Sequence, residues 1–236
     1  MKKNLTTVLV LAGLVTGCET PGNLPQKHTA TDYPGYILNL AAGGTNSIAP
    51  KPALPIRLAV AQIGEPAPLK TMLASLAADP HLVASVIGLP LPGAPENRTS
   101  TGVEKSPATN YGREVKAVCN LAQAGGADYV LIYGDSVETW VKQNALSMFD
   151  CTLVGAELIP GGKINLQGRA AAALIEAPSG RPVFLLNADC RRTAPTPNFL
   201  ANGKAAEMRV TASDQLAGEL SAALLRKLAD TATGPK

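Results

Sequence analysis

The sequence predicts an α/β domain, a two-layer α/β (α+β) sandwich with a β-α-β-α opening, an antiparallel meander and a closing C-terminal helix. Three observations carry this reading. Apolar residues recur at helical spacing in separated stretches, and between them lie apolar runs such as Ile56–Ile63 and Leu82–Leu89 and the aromatic and β-branched stretch Tyr129–Val141. In the second half of the domain the connections are short enough to imply hairpins.

The first strand is the apolar run Ile56–Ile63, halted by Gly64-Glu65-Pro66. Leu69, Met72, Leu73 and Leu76 then fall on one helical face, predicting a helix over 68–78. Asp79-Pro80 ends it, because the residue before a proline disfavours helical geometry. Leu82–Leu89 reads as the second strand. Residues 90–110 carry Pro90, Pro92, Pro95 and Pro107; connections of that length are usually functional or disordered. A second helix, about Tyr111–Ala124, stops at Gly125-Gly126.

Tyr129–Val141 is a long strand. Met148–Ile159 and Ile164–Ile175 follow, joined by Pro160-Gly161-Gly162-Lys163, and Arg181–Arg191 comes after a turn at Ala177-Pro178-Ser179-Gly180. Pairing across those turns sets Glu138 almost opposite Asp150, Cys151 near Ala172 and Cys190 near Gln167. The last helix, about Ala205–Leu228, carries Leu216, Leu220, Leu224 and Leu228 as one stripe. The globular domain is thus 56–230, with 231–236 as a disordered tail and the helices on one face of the sheet.

Ahead of the domain, Lys2 and Lys3 precede the apolar run Leu5–Val15. A membrane-spanning helix needs roughly 20 apolar residues, so this run has the length of a secretory signal instead. Small residues then lead into a cysteine, Val15-Thr16-Gly17-Cys18. This segment resembles the lipobox of bacterial lipoproteins. The resemblance implies a signal peptide over 1–17, cleavage between Gly17 and Cys18, and acylation of Cys18. Two or more acyl chains hold a protein at a bilayer where one does so only marginally. Glu19, rather than aspartate, follows the cysteine; the resemblance then implies the outer membrane, facing the periplasm. Residues 18–55 are rich in Pro, Gly, Thr and Asn and read as a tether. Within them Tyr33-Pro34-Gly35-Tyr36-Ile37-Leu38-Asn39-Leu40 is apolar enough to lie against the domain as an extended arm.

Ile56-Arg57-Leu58-Ala59-Val60-Ala61-Gln62 and Gly126-Ala127-Asp128-Tyr129-Val130-Leu131-Ile132-Tyr133-Gly134 are similar to strands of periplasmic lipoproteins with an anticodon-binding-like α/β domain. The curli-secretion lipoprotein, the penicillin-binding-protein activator lipoproteins and the N-terminal domain of the Tol-system propeller protein share that layout. The likeness is one of fold, and function does not follow from fold.

The formal charge of +3 falls to +1 once Lys2 and Lys3 are removed, which gives little electrostatic reason for nucleic-acid binding. With Cys18 reserved for lipid, Cys119, Cys151 and Cys190 remain. Their spacing matches no zinc pattern, and Cys119 and Cys151 read as small buried hydrophobes. Gly43-Gly44-Thr45-Asn46-Ser47 lacks the Gly-Lys-Ser/Thr of a phosphate loop. His28 and His81 fall in tether and turn, with no serine elbow or ligand partner at metal spacing. The sequence therefore implies no metal and no cofactor. The expected role is non-enzymatic: binding another envelope protein through Arg98 and Lys105 on the long connection, or Phe199 and Leu200 before the last helix. Alternatives are a subunit of an oligomeric envelope or secretion assembly, and a periplasmic hydrolase using Asp135, Glu138, Asp150 and Asp189.

Overall fold

The computed structural model describes residues 32–35, 37, 51–91, 108–143, 162–196 and 200–233. Their elements run β1 (Ile56–Gln62), α1 (Lys70–Ala77), β2 (Val83–Leu89), α2 (Ala108–Ala124), β3 (Tyr129–Gln143), β4 (Gly162–Glu176), β5 (Pro182–Thr196) and α3 (Ala201–Thr233). This is the α/β class that the sequence predicts, with the β-α-β-α opening and the closing helix in place. The strands form one five-stranded sheet in the order β2-β1-β3-β4-β5. β1 runs parallel to both β2 and β3. Beyond β3 the sheet turns antiparallel: Ala177 N–H donates to Asp128 O, tying the end of β4 to the start of β3, and Glu176 N–H donates to Arg181 O across the β4–β5 turn.

Two details of the expected architecture are corrected. The meander was expected to place 148–159 between the strands that are here β3 and β4, yet β4 is hydrogen-bonded directly to β3. Ala172 therefore has β3 and β5 as its sheet neighbours. Residues 148–159, with Asp150 and Cys151, lie outside the described residues. The second correction concerns the helices, which occupy both faces of the sheet. Ala59, Ala61, Val130, Ile132, Ala171, Ala173 and Ile175 point to one side, where they pack with Val118, Cys119 and Ala122 of α2. On the other side Leu58, Val60, Leu131 and Tyr133 are equally buried. There Leu69 and α3 residue Ser213 reach the strand ends, and Thr71 of α1 bonds Asp214 of α3. The cause is handedness: β1→β2 and β2→β3 step in opposite directions, so two right-handed crossovers must use opposite faces.

The chain divides into two compact units, and β3, β4, β5 and α3 contribute to both. The larger holds Ala30–Val137, Gln167–Arg191 and Arg209–Lys236. Its core includes the predicted stripe, with Leu216, Leu220, Leu224 and Leu228 all 0 % exposed. α2 ends as its glycines predict: Ala127 N–H bonds Ala122 O and Gly126 N–H bonds Gln123 O, with Gly126 at φ 76°. In the smaller unit, which includes Glu138–Leu166 and Arg192–Met208, Ile164, Leu166, Ala201, Ala205 and Met208 are buried. Thr193 donates there to Asn165 Oδ1 at 3.2 Å.

Candidate functional site

In an open α/β sheet, ligands bind beyond the carboxyl ends of the strands, where successive crossovers diverge. Here that point falls between β1 and β3, at the paired residues Gln62 and Tyr133. Gln62 is 3 % exposed and Tyr133 1 %. The Tyr133 hydroxyl donates to Gln62 Oε1 at 2.6 Å. Leu69 N–H, just ahead of α1, is shared between Gln62 Oε1 at 3.1 Å and the Tyr133 oxygen at 2.9 Å. The first N–H groups of a helix have no intrahelical acceptor, and Leu69 offers no side-chain cap, so the strand ends supply one. Gln62 Nε2 in turn donates to Asp135 Oδ1 at 3.4 Å, whose other oxygen accepts from Ser213 Oγ at 2.6 Å. Burial above all pushes the Tyr133 hydroxyl well above the ordinary phenol range, only partly opposed by the Leu69 N–H, so it stays a neutral donor. The polar groups here bond one another, joining β1, β3, α1 and α3.

At the opposite ends of the same strands Arg57 makes a two-pronged contact with Asp128, Nε–Oδ2 2.9 Å and Nη2–Oδ1 2.6 Å. That hydrogen bond is the main cause holding the Asp128 carboxyl below the usual carboxylate range. A shallow cavity of about 210 Å³ lies between residues 32–35 and the strands β4 and β5, lined by Asp32, Gly35, Arg169, Asn187 and Asp189. Residues 33–35 and 37 are helical rather than extended, and Ile37 is 1 % exposed in the α2-side core.

Of the contact residues expected from sequence, Leu200 is 52 % exposed. Gly17, Cys18, Arg98, Lys105 and Phe199 lie outside the described residues, as do His28 and Asp150. Cys119 is buried, and desolvation raises its thiol. Cys190 is buried too, with its sulfur on the α3 side beside Gly168, one residue from the expected Gln167. Asp135 points to the same α3 side, while Asp189 is on the opposite face with Arg169. The sheet therefore does not bring those two carboxylates together. His81 is exposed in its turn, its N–H held by Asp79. Among the described residues, no three His, Cys, Asp or Glu side chains are grouped to hold a metal ion. Sequence reasoning missed Gln62, whose signal was a carboxamide closing the apolar stretch Leu58–Ala61. It also missed the seat that Gly64 and Gly134 make for Tyr33, whose ring and Cβ occupy the places of their absent side chains.

No protein-family model and no curated protein matches the chain. Among solved structures it is similar to the PelC dodecamer from Paraburkholderia phytofirmans, at 15 % identity and a TM-score of 0.30, over 74 % of this chain and 90 % of that one. A point variant of that dodecamer matches at 16 % and 0.29, over 63 % and 79 %. Lipoprotein GNA1162 from Neisseria meningitidis matches at 17 % and 0.30, over 68 % and 98 %. At these TM-scores the likeness carries no argument about activity or assembly.

Proposed function

We propose that the protein is a lipid-anchored envelope lipoprotein of the outer membrane that acts without catalysis, by binding another envelope protein. The observation that carries this reading is the order Lys2-Lys3, the apolar run to Val15, and Val15-Thr16-Gly17-Cys18. Among the described residues no helix is long and apolar enough to cross a membrane, so acyl chains on Cys18 are the attachment this reading invokes. Leu200, exposed just ahead of α3, supports the contact surface placed at Phe199 and Leu200. Arg98 and Lys105 form its other candidate patch.

Intact mass of the detergent-solubilised protein from its native host, beside Cys18→Ala, tests the anchor. The expected result is residues 18–236 plus acyl groups, with the variant unprocessed. An unlipidated soluble product overturns the reading. A photo-crosslinker at position 200 tests the contact: one discrete adduct with a heterologous envelope protein is expected, and adducts only with itself favour the second reading.

That second reading is a subunit of an oligomeric assembly. Among the described strands β5 is a sheet edge fifteen residues long, with Leu185 40 % exposed on it. Long edge strands invite pairing with another chain. Light scattering in detergent giving a multiple of the chain mass would favour it, and a monomer would remove it.

A further inference from the structure

We infer that residues 32–35 and 37 are a docking clamp that sets how far the lipid anchor can stand from the α/β domain. The inference rests on the reading that Cys18 is lipidated. Two side chains, Tyr33 and Ile37, make this segment part of the fold rather than of a spacer, and one internal hydrogen bond shapes it. Tyr33 lies across two glycines: its ring comes within 2.7 Å of the place a Gly64 Cβ would occupy, and its own Cβ within 2.8 Å of the Gly134 equivalent. Any side chain at Gly134 would therefore collide with Tyr33. Ile37 is 1 % exposed among Ala59, Ile132 and Ala173, and reaches within 3.5 Å of the same Gly134 position. Asp32 Oδ1 accepts from Gly35 N–H at 3.1 Å, closing the first turn.

The consequence is metric. Asp32 lies fourteen residues after Cys18. With the clamp seated, the chain between them spans at most about 50 Å at roughly 3.5 Å per residue. With the clamp released, the next buried position among the described residues is Pro52, thirty-four residues after Cys18, and the limit becomes about 120 Å. Seating and release of one tyrosine and one isoleucine thus change the reach more than twofold without altering the sheet.

The test uses the lipidated protein from its host in a supported bilayer, wild type beside Tyr33→Ala and Gly134→Ala, with neutron reflectometry for domain height and hydrogen exchange across 32–37. Wild type should hold the domain within about 50 Å of the lipid surface with Gly35 and Ile37 amides protected. Both variants should lose that protection and show density beyond that limit, while the thermal unfolding of the rest of the domain stays cooperative. Lipidated wild type without protection at 32–37, or variants at unchanged height, overturns the clamp alone. An unlipidated mass with protected amides overturns the anchor, and the reach argument with it. Should Tyr33→Ala unfold the domain, Gly134→Ala decides, since the methyl group it adds would stand 2.8 Å from Tyr33 Cβ, whereas Ile63 Cβ at 3.5 Å is in ordinary contact.

Discussion

Tyr133 sits 1 % exposed with its hydroxyl between Gln62 and Leu69, and its chemistry follows from that position. Burial keeps the phenol protonated in the folded chain well beyond its usual range, whereas in the unfolded chain it ionises near pH ~10. Above that pH the native state binds the extra proton, so the stability contributed by Tyr133 is intact below pH ~10 and declines as pH rises. Urea melts at increasing pH should show this decline in wild type and a flatter slope in Tyr133→Phe. At neutral pH the same substitution should cost about 1 kcal/mol, since Leu69 N–H keeps Gln62 as an acceptor and no buried donor is orphaned. Asp128 shows the opposite sign. Arg57 depresses its carboxyl, so its contribution is present above the unfolded value near ~3.9 and lost as pH falls through the folded one. NMR titration should find the Asp128 transition moved upward in Arg57→Gln. The pair is roughly half exposed, so the melting temperature should scarcely change.

Among the elements, α3 shows how packing of an apolar stripe outweighs the absence of favourable charges at the helix ends. Its first turn carries no acidic and its last no basic residue to favour the helix dipole. Thirty-three residues nevertheless form one helix because Leu216, Leu220, Leu224 and Leu228 vanish from solvent together. Leu220→Ala should therefore cost about 2–5 kcal/mol in a denaturant melt, the range for truncating a buried leucine. β4 meets α3 at a tighter point. A Cβ on Gly168 would stand 2.6 Å from the Cys190 sulfur and 3.0 Å from Leu216. Gly168→Ala should lose about 1–3 kcal/mol through overpacking, and Cys190→Ala in the same chain should recover part of it. The leucine stripe was legible in the sequence because its period is local. The Gly168 contact was not, because it joins three elements far apart in the chain.

For the whole molecule, the class was legible and the layering was not. β1 is buried on both sides, so its run from Ile56 to Gln62 has no alternation to say which face meets which helix. Only the sheet order, with β3 stepping past β1, puts α2 opposite α1 and α3. The same limit applies to the site. Gln62, Asp135 and Ser213 become neighbours only through that order, whereas the resemblance of Val15-Thr16-Gly17-Cys18 to a lipobox rests on contiguous residues. The arm shows a further consequence. Because Ile37 belongs to the core, deleting 22–45 should lower the melting temperature, removing burial of about 1.5–3 kcal/mol for that side chain alone. A deletion ending before Asp32 should leave the melt unchanged, and a comparable fall in both melts would show that the arm's docking contributes nothing special.

The parallel pairing of β1 with β3 carries one more implication, for kinetics. Arg57 and Asp128 meet across 71 residues, while the β4–β5 turn closes locally between Glu176 and Arg181. Non-local closure lowers the entropy of a long loop before any contact rewards it, so such topologies fold slowly. The first strand to be synthesised is thus among the last to be enclosed. If the chain is exported N-terminus first, as the proposed signal peptide implies, β1 emerges ahead of β3 and that side of it stays unpaired until the second half arrives.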